Sequence, residues 1–126
     1  MKRYFLLLSI NLLLLFGFKP FAKSTASLIG IWINPTNDVK IKIEEVSGQT
    51  HAILFWSSKP EAKAHIGRVV IKEIRPHGNN FKALVIAPEK RKFVNGIIEF
   101  KGNDTLVITG FDQGKSVCKL YRKVKA

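Results

Sequence analysis

The sequence predicts an all-β fold, a small antiparallel up-and-down barrel of about eight strands, following an N-terminal signal segment. Three observations carry the prediction. Apolar side chains recur with period two along most of the chain after residue 28; clusters of Gly, Pro, Asn and Asp separate the apolar runs; no segment sustains the 3.6-residue period of a helix. Eight short antiparallel strands must hide their edges, and closing the sheet on itself does so. A two-sheet sandwich is the alternative, because strand count alone does not separate the two.

The chain begins MKRYFLLLSINLLLLFGFKPFAKSTAS. Lys2 and Arg3 precede an apolar run from Tyr4 to Phe18, broken only by Ser9, Asn11 and Gly17, and small residues come after it. That order is the order of a secretory signal peptide. Residues 1–22 form the signal, with cleavage after Ala22, or as late as Ala26, where Ser24 instead of Pro20 takes the usually small minus-three position. An uncleaved anchor helix is the competing reading, since the run sits at the short end of the roughly 17 to 25 residues a bilayer needs. The protein is expected to be exported, periplasmic or secreted, with residues 27–126 forming the barrel domain.

LIGIWIN (28–34) is the first strand. In VKIKIEEV (39–46), Val39, Ile41 and Ile43 alternate with Lys40, Lys42 and Glu44, which marks one buried and one wet face. THAILFW (50–56), RVVIKEI (68–74), FKALVIA (81–87), FVNGIIEF (93–100), TLVITGF (105–111) and SVCKLYRKV (116–124) complete the eight. NPTND, SGQ, PHGNN, APEKRK, KGND and DQGK supply the reversals, and such short reversals imply antiparallel neighbours. The longest connection, SSKPEAKAH (57–65), has room for a helical turn or a lid, and its Lys59-Pro60 step argues against a long helix.

The whole chain has a formal charge of +12. Three basic residues and no acidic ones precede Lys23, so 18 basic side chains stand against 9 acidic ones in the remainder, a formal +9. An exported basic protein meets lipid head groups and acidic envelope polymers, and nucleic acid is an unlikely partner. The basic residues are dispersed, with EKRK (89–92) and YRKVK (121–125) the only dense pieces, which also suits a plain solvated surface. The single cysteine, Cys118, makes no internal disulfide and, lying mid-strand, reads as a buried small apolar side chain.

Gly30-x-Trp32 on the first strand, with Arg122 on the last, resembles the arrangement by which lipocalin-like barrels close one end. By alternation Arg122 shares a face with Cys118, Leu120 and Val124, the more apolar one, whereas Lys119, Tyr121 and Lys123 share the other. Trp32 is then a plug and Arg122 its clasp, a guanidinium laid on an indole. An ordinary core tryptophan and an ordinary surface arginine are the plainer reading.

A closer resemblance covers nearly the whole chain after the signal segment. GIWINP (30–35), IAPEKRKF (86–93), TLVITGF (105–111) and GKSVCKLYRK (114–123) are similar in spacing to the motifs of the DUF2147 family, small exported bacterial proteins with a lipocalin-like barrel. The family's polar Tyr-Asp before the proline is Ile86-Ala87 here, and its tryptophan with paired glycines is FKAL (81–84). The resemblance implies fold and export and brings no activity.

Catalysis finds no constellation in the sequence. His51, His65 and His77 lack metal-ligand spacing, Glu44 and Glu45 point to opposite faces of a strand, and there is no phosphate-cradling glycine loop. No enzyme, metal or cofactor is expected. Two functional expectations remain. An interior lined by Trp32, Ile41, Ile43, Phe55 and Leu106 would bind a small apolar ligand. Alternatively the outer face associates with a second copy, an envelope partner or an anionic surface; Ile29, Ile31 and Ile33, opposite Trp32, leave the first strand apolar on both sides.

Overall fold

The computed structural model describes residues 24–87 and 91–125. The expected signal segment, residues 1–22, lies outside the described residues. Among those described, no helix is long and apolar enough to cross a membrane.

Eight antiparallel strands close into one barrel in the order of the sequence: β1 (Gly30–Ile33), β2 (Val39–Val46), β3 (Gln49–Ser57), β4 (Val69–His77), β5 (Asn80–Ala87), β6 (Lys92–Lys101), β7 (Thr105–Asp112) and β8 (Lys115–Lys123). All eight coincide with the apolar runs, although β1 is only four residues long. Its end is fixed by Asn34, whose side-chain oxygen accepts from the backbone N–H groups of Asp38 and Val39 while its own N–H donates to the Val39 carbonyl. That network turns the chain back into β2. Ser47-Gly48 and Gln113-Gly114 both have positive φ at two successive residues, the twist that two-residue hairpins require.

Alternation sends one face of each strand inward. Trp32 pairs with Ile41, Ile43 with Ala52, Ile98 with Ile108 and Leu106 with Tyr121, all of them buried. Gly96 and Gly110 face each other in the same ladder, and a Cβ at Gly96 would run into Val85 and stand 3.0 Å from the Thr109 carbonyl oxygen. The missing side chain at Gly96 is what lets Val85 pack against the backbone there.

Two irregularities matter for the surface. The β2–β3 register shifts so that Lys40 opposes Trp56 and Ile41 opposes Leu54, leaving Phe55 as the extra residue of a bulge. The β4–β5 register shifts between Lys72 and Arg75, where Glu73 adopts a φ of 54°. The Ser57–His65 connection contains a 3-10 turn, Pro60–His65, with the proline at its first position, where the missing N–H costs nothing. Ser57 is buried at its base, donating to the Asp38 carbonyl and accepting from the Lys59 N–H.

Candidate functional site

The interior is occupied by the protein's own side chains. Trp32, Ile41, Ile43 and Leu106 are buried, as the sequence predicts, and join Leu28, Ala52, Ile71, Ile74, Phe81, Ala83, Ile98, Ile108 and Tyr121 in one core. Phe100 is set edge-on between Trp32 and Phe81, at centroid distances of 6.2 and 6.4 Å. Phe55, expected inside, is outside and 41% exposed. Alternation is the cause: Thr50, Ala52 and Leu54 are the buried residues of β3, so Phe55 falls on the outward face, and the bulge there then turns Trp56 outward as well and Ser57 inward.

One end of the barrel is closed by a device that the sequence half discloses. A 3-10 turn, Thr25–Leu28, is capped by the Ser24 hydroxyl accepting from the Ala26 N–H, and it lowers Leu28 into full burial. Trp32 donates its indole N–H to the Leu28 carbonyl at 2.8 Å, so the plug is satisfied as well as packed. Gly30 has φ 141°, which only glycine tolerates comfortably, and a Cβ there would stand 3.1 Å from Lys123 Cε.

The clasp is Lys123 and not Arg122. Lys123 is the register partner of Trp32, its ammonium lies 5.5 Å from the indole centroid, and it donates to the Ile29 carbonyl at 3.2 Å. Arg122 points outward and donates to Asn37 Oδ1 at 3.1 Å. Facing is decided by the ring of Tyr121, which is buried and carries Lys123 to the same side. Lys123 then snorkels, its stem along Gly30 and its charge at the rim. Leu120 and Cys118, whose apolar character suggested the opposite facing, are both exposed, so Cys118 is not the buried thiol expected.

The outer wall carries the chemistry that remains. Lys40 lies 5.2 Å from the Trp56 ring, its cross-strand neighbour; Lys42 lies 5.7 Å from the Phe55 ring; Lys72 lies 4.3 Å from the Phe93 ring. Phe55 and Trp56 share this stretch with exposed Ile66 and Val69, which come after the Pro60–His65 turn. That segment is held to β3 by Leu54, whose carbonyl accepts from Gly67 N–H and whose N–H donates to the Arg68 carbonyl. Sequence reasoning identified the outer face as an alternative but looked for it on β1, where Ile33 is in fact buried. The signal available was Phe55-Trp56, two large aromatics at successive positions, one of which had to face water unless a bulge intervened, and with the bulge both do.

Elsewhere the wall has a groove of about 350 Å³ beside the Glu73 irregularity, lined among others by Glu73, Arg75, Lys82, Asn95 and Phe111. His51 is paired with Glu44 at 2.9 Å across β2 and β3, and Lys42 reaches the same carboxylate at 3.8 Å. Among the described residues no group of three His, Cys, Asp or Glu side chains is placed to hold a metal. Hydrogen bonds from the Asn34 and Thr36 side chains hold the Asp38 carboxyl below its ordinary range, with Lys59 helping at 3.6 Å. Burial, with the Asp38 charge behind it, holds the Tyr121 phenol above its ordinary value.

Compared with protein-family models, with curated proteins and with solved structures, the chain matches none.

Proposed function

We propose that the protein is an exported, non-catalytic interaction module that works through its outer wall, adhering to anionic surfaces such as lipid head groups by the face built from β2, β3 and the start of β4. The observation that carries this reading is the interleaving of cations and exposed aromatics: Lys40 with Trp56 and Lys42 with Phe55, beside Ile66 and Val69. Aromatic and aliphatic side chains enter the head-group layer while lysines reach phosphate, and neither needs a shaped pocket. The packed interior favours this over a ligand-carrying barrel, because Trp32, Phe81, Ile43, Ile98 and Leu106 fill the space a ligand would take. Kinship with DUF2147 proteins is part of the same proposal and rests on motif spacing alone.

The chain offers its own reporter. Of its two tryptophans, Trp32 is fully buried and Trp56 is 39% exposed, so a change in emission on binding comes from Trp56. Vesicles of mixed anionic and zwitterionic lipid should shift that emission to shorter wavelength, and purely zwitterionic vesicles should not. The effect should fade with salt, since exposed charges are screened over roughly 8 Å at physiological ionic strength. Binding that is indifferent to Lys40→Glu with Lys42→Glu, or to Phe55→Ser, would reject this face, including the case in which the leader alone drives it.

A further inference from the structure

The barrel closes at all eight strand junctions, and the junction between β8 and β1 is the shortest of them. β8 is paired with β7 over its length, from Asp112 opposite Lys115 to Thr105 opposite Arg122. On its other side it meets β1 at only two positions, Trp32 opposite Lys123 and Ile33 opposite Arg122. β1 stops at Ile33 because the Asn34 network turns it away, whereas the β7–β8 hairpin runs on past it. Among the described residues, Lys115 to Leu120 therefore has no strand neighbour on that side, and all six residues are exposed. Val117, on the face that continues Tyr121's inward side, is 61% exposed, more than any other large apolar residue described.

An unpaired edge of six residues spans about 20 Å of strand and presents a row of backbone donors and acceptors. Its side chains narrow the range of segments that will pair with it. β8 contains Lys115, Lys119, Arg122 and Lys123 and no acidic residue. A second copy paired antiparallel about Val117 would set Lys115 against Lys119 at both ends of the new ladder, and like charges directly opposite are destabilising. The same lysines that keep the edge from its own kind favour a strand carrying carboxylates. Lys115 and Lys119 flank Val117 on one face while Leu120 and Cys118 lie on the other, so the complementary segment is acidic opposite Lys115 and Lys119 and apolar opposite Val117 and Leu120.

We infer that the edge of β8 from Lys115 to Leu120 docks an extended acidic and apolar peptide segment of a partner protein, which adds to the barrel wall as a further strand in the gap beyond β1. Backbone hydrogen bonds supply affinity and the lysines supply selectivity. The site is distinct from the aromatic face of β2 and β3 and does not depend on it.

The test uses a synthetic peptide with Glu at the positions opposite Lys115 and Lys119, Val at those opposite Val117 and Leu120 and Thr at the remaining two, a copy N-methylated at alternate residues, and a copy with Lys for Glu. The expected result with the full chain is saturable binding of the first peptide, with slowed amide exchange confined to Lys115–Leu120. N-methylation should abolish it, and the Lys peptide should not bind. Lys115→Glu with Lys119→Glu should weaken the acidic peptide about tenfold or more, which is about 1.4 kcal/mol, and admit the basic one. An unchanged unfolding midpoint would show that the variant is folded; if it is not, the N-methyl comparison on the unaltered protein decides alone. Absence of binding, binding indifferent to N-methylation, or protection of the same amides in a peptide-free dimer would overturn the inference.

Discussion

The ammonium of Lys123 rests 5.5 Å from the centre of the Trp32 indole, while Arg122, its immediate neighbour, turns outward to Asn37. A single step along β8 separates the residue that closes the barrel from one that decorates its rim.

Trp32→Ala should cost about 3 to 5 kcal/mol, as a large-to-small change in a packed core. Lys123→Ala should cost about 0.5 to 1 kcal/mol, and the double variant less than the sum, because both single changes remove one shared contact. Arg122→Ala should be near neutral, within about 0.5 kcal/mol. Denaturant unfolding of the set measures the coupling; a coupling of Trp32 to Arg122 in place of Lys123 would contradict the assignment.

Gly30→Ala should destabilise by about 1 to 3 kcal/mol, since alanine must adopt a φ it rarely visits and its Cβ displaces the Lys123 stem. Gly96→Ala acts by a different route, overpacking against Val85 and the Thr109 carbonyl, at about 1 to 3 kcal/mol. The two differ in a crossed experiment: Lys123→Ala should relieve part of the Gly30→Ala penalty and none of the Gly96→Ala penalty.

Tyr121 gives an alkaline signature. Its folded phenol titrates above the ordinary value of about 10, so the folded state holds its proton after the unfolded state has lost it. Its contribution to stability is complete below pH 10 and is lost as pH rises through the folded value. The chain has two tyrosines, Tyr4 and Tyr121, so subtracting the phenolate absorbance of a Tyr121→Phe protein isolates the delayed titration. A Tyr121 curve centred at the ordinary value would show the ring to be accessible.

Cys118 should react with a thiol reagent in the native protein at a rate close to that of the unfolded chain, because it is exposed and only hydroxyl-bonded, 3.3 Å from Thr109 Oγ1. Cys118→Ser should leave stability within about 0.5 kcal/mol. Reaction only after unfolding would restore the reading of a buried thiol.

Period two was enough to place every strand and to put Trp32, Ile41, Ile43 and Leu106 inside, since a strand with one wet face writes its facing into the sequence. It failed for Phe55 because THAILFW is apolar at both phases, with Ala52 and Leu54 on one and Ile53 and Phe55 on the other, so the inward set, Thr50, Ala52 and Leu54, is not marked; the bulge after it, which turns Trp56 outward, leaves no mark either. It failed for Arg122 because most of β8 extends past the closed part of the barrel, where neither face is buried and the apolar count of Cys118 and Leu120 carries no facing information. The barrel seam was legible in Gly30 and Trp32; its third member needed the bulk of Tyr121 to be weighed above the hydrophobicity of its neighbours.

The seam also orders events in time. Every other ladder joins strands adjacent in the sequence, but β1 meets β8 at Trp32 opposite Lys123, and Lys123 reaches on to the Ile29 carbonyl just before β1, 94 residues away. Hairpins close locally and fast, whereas this junction closes the longest loop of the barrel and adds the contacts of highest sequence separation. A chain emerging amino end first has its indole plug ready long before the lysine that covers it has arrived. Until that last stretch is released, Trp32 and the flank of β1 are exposed, and the nascent protein depends on whatever holds it unaggregated for that interval.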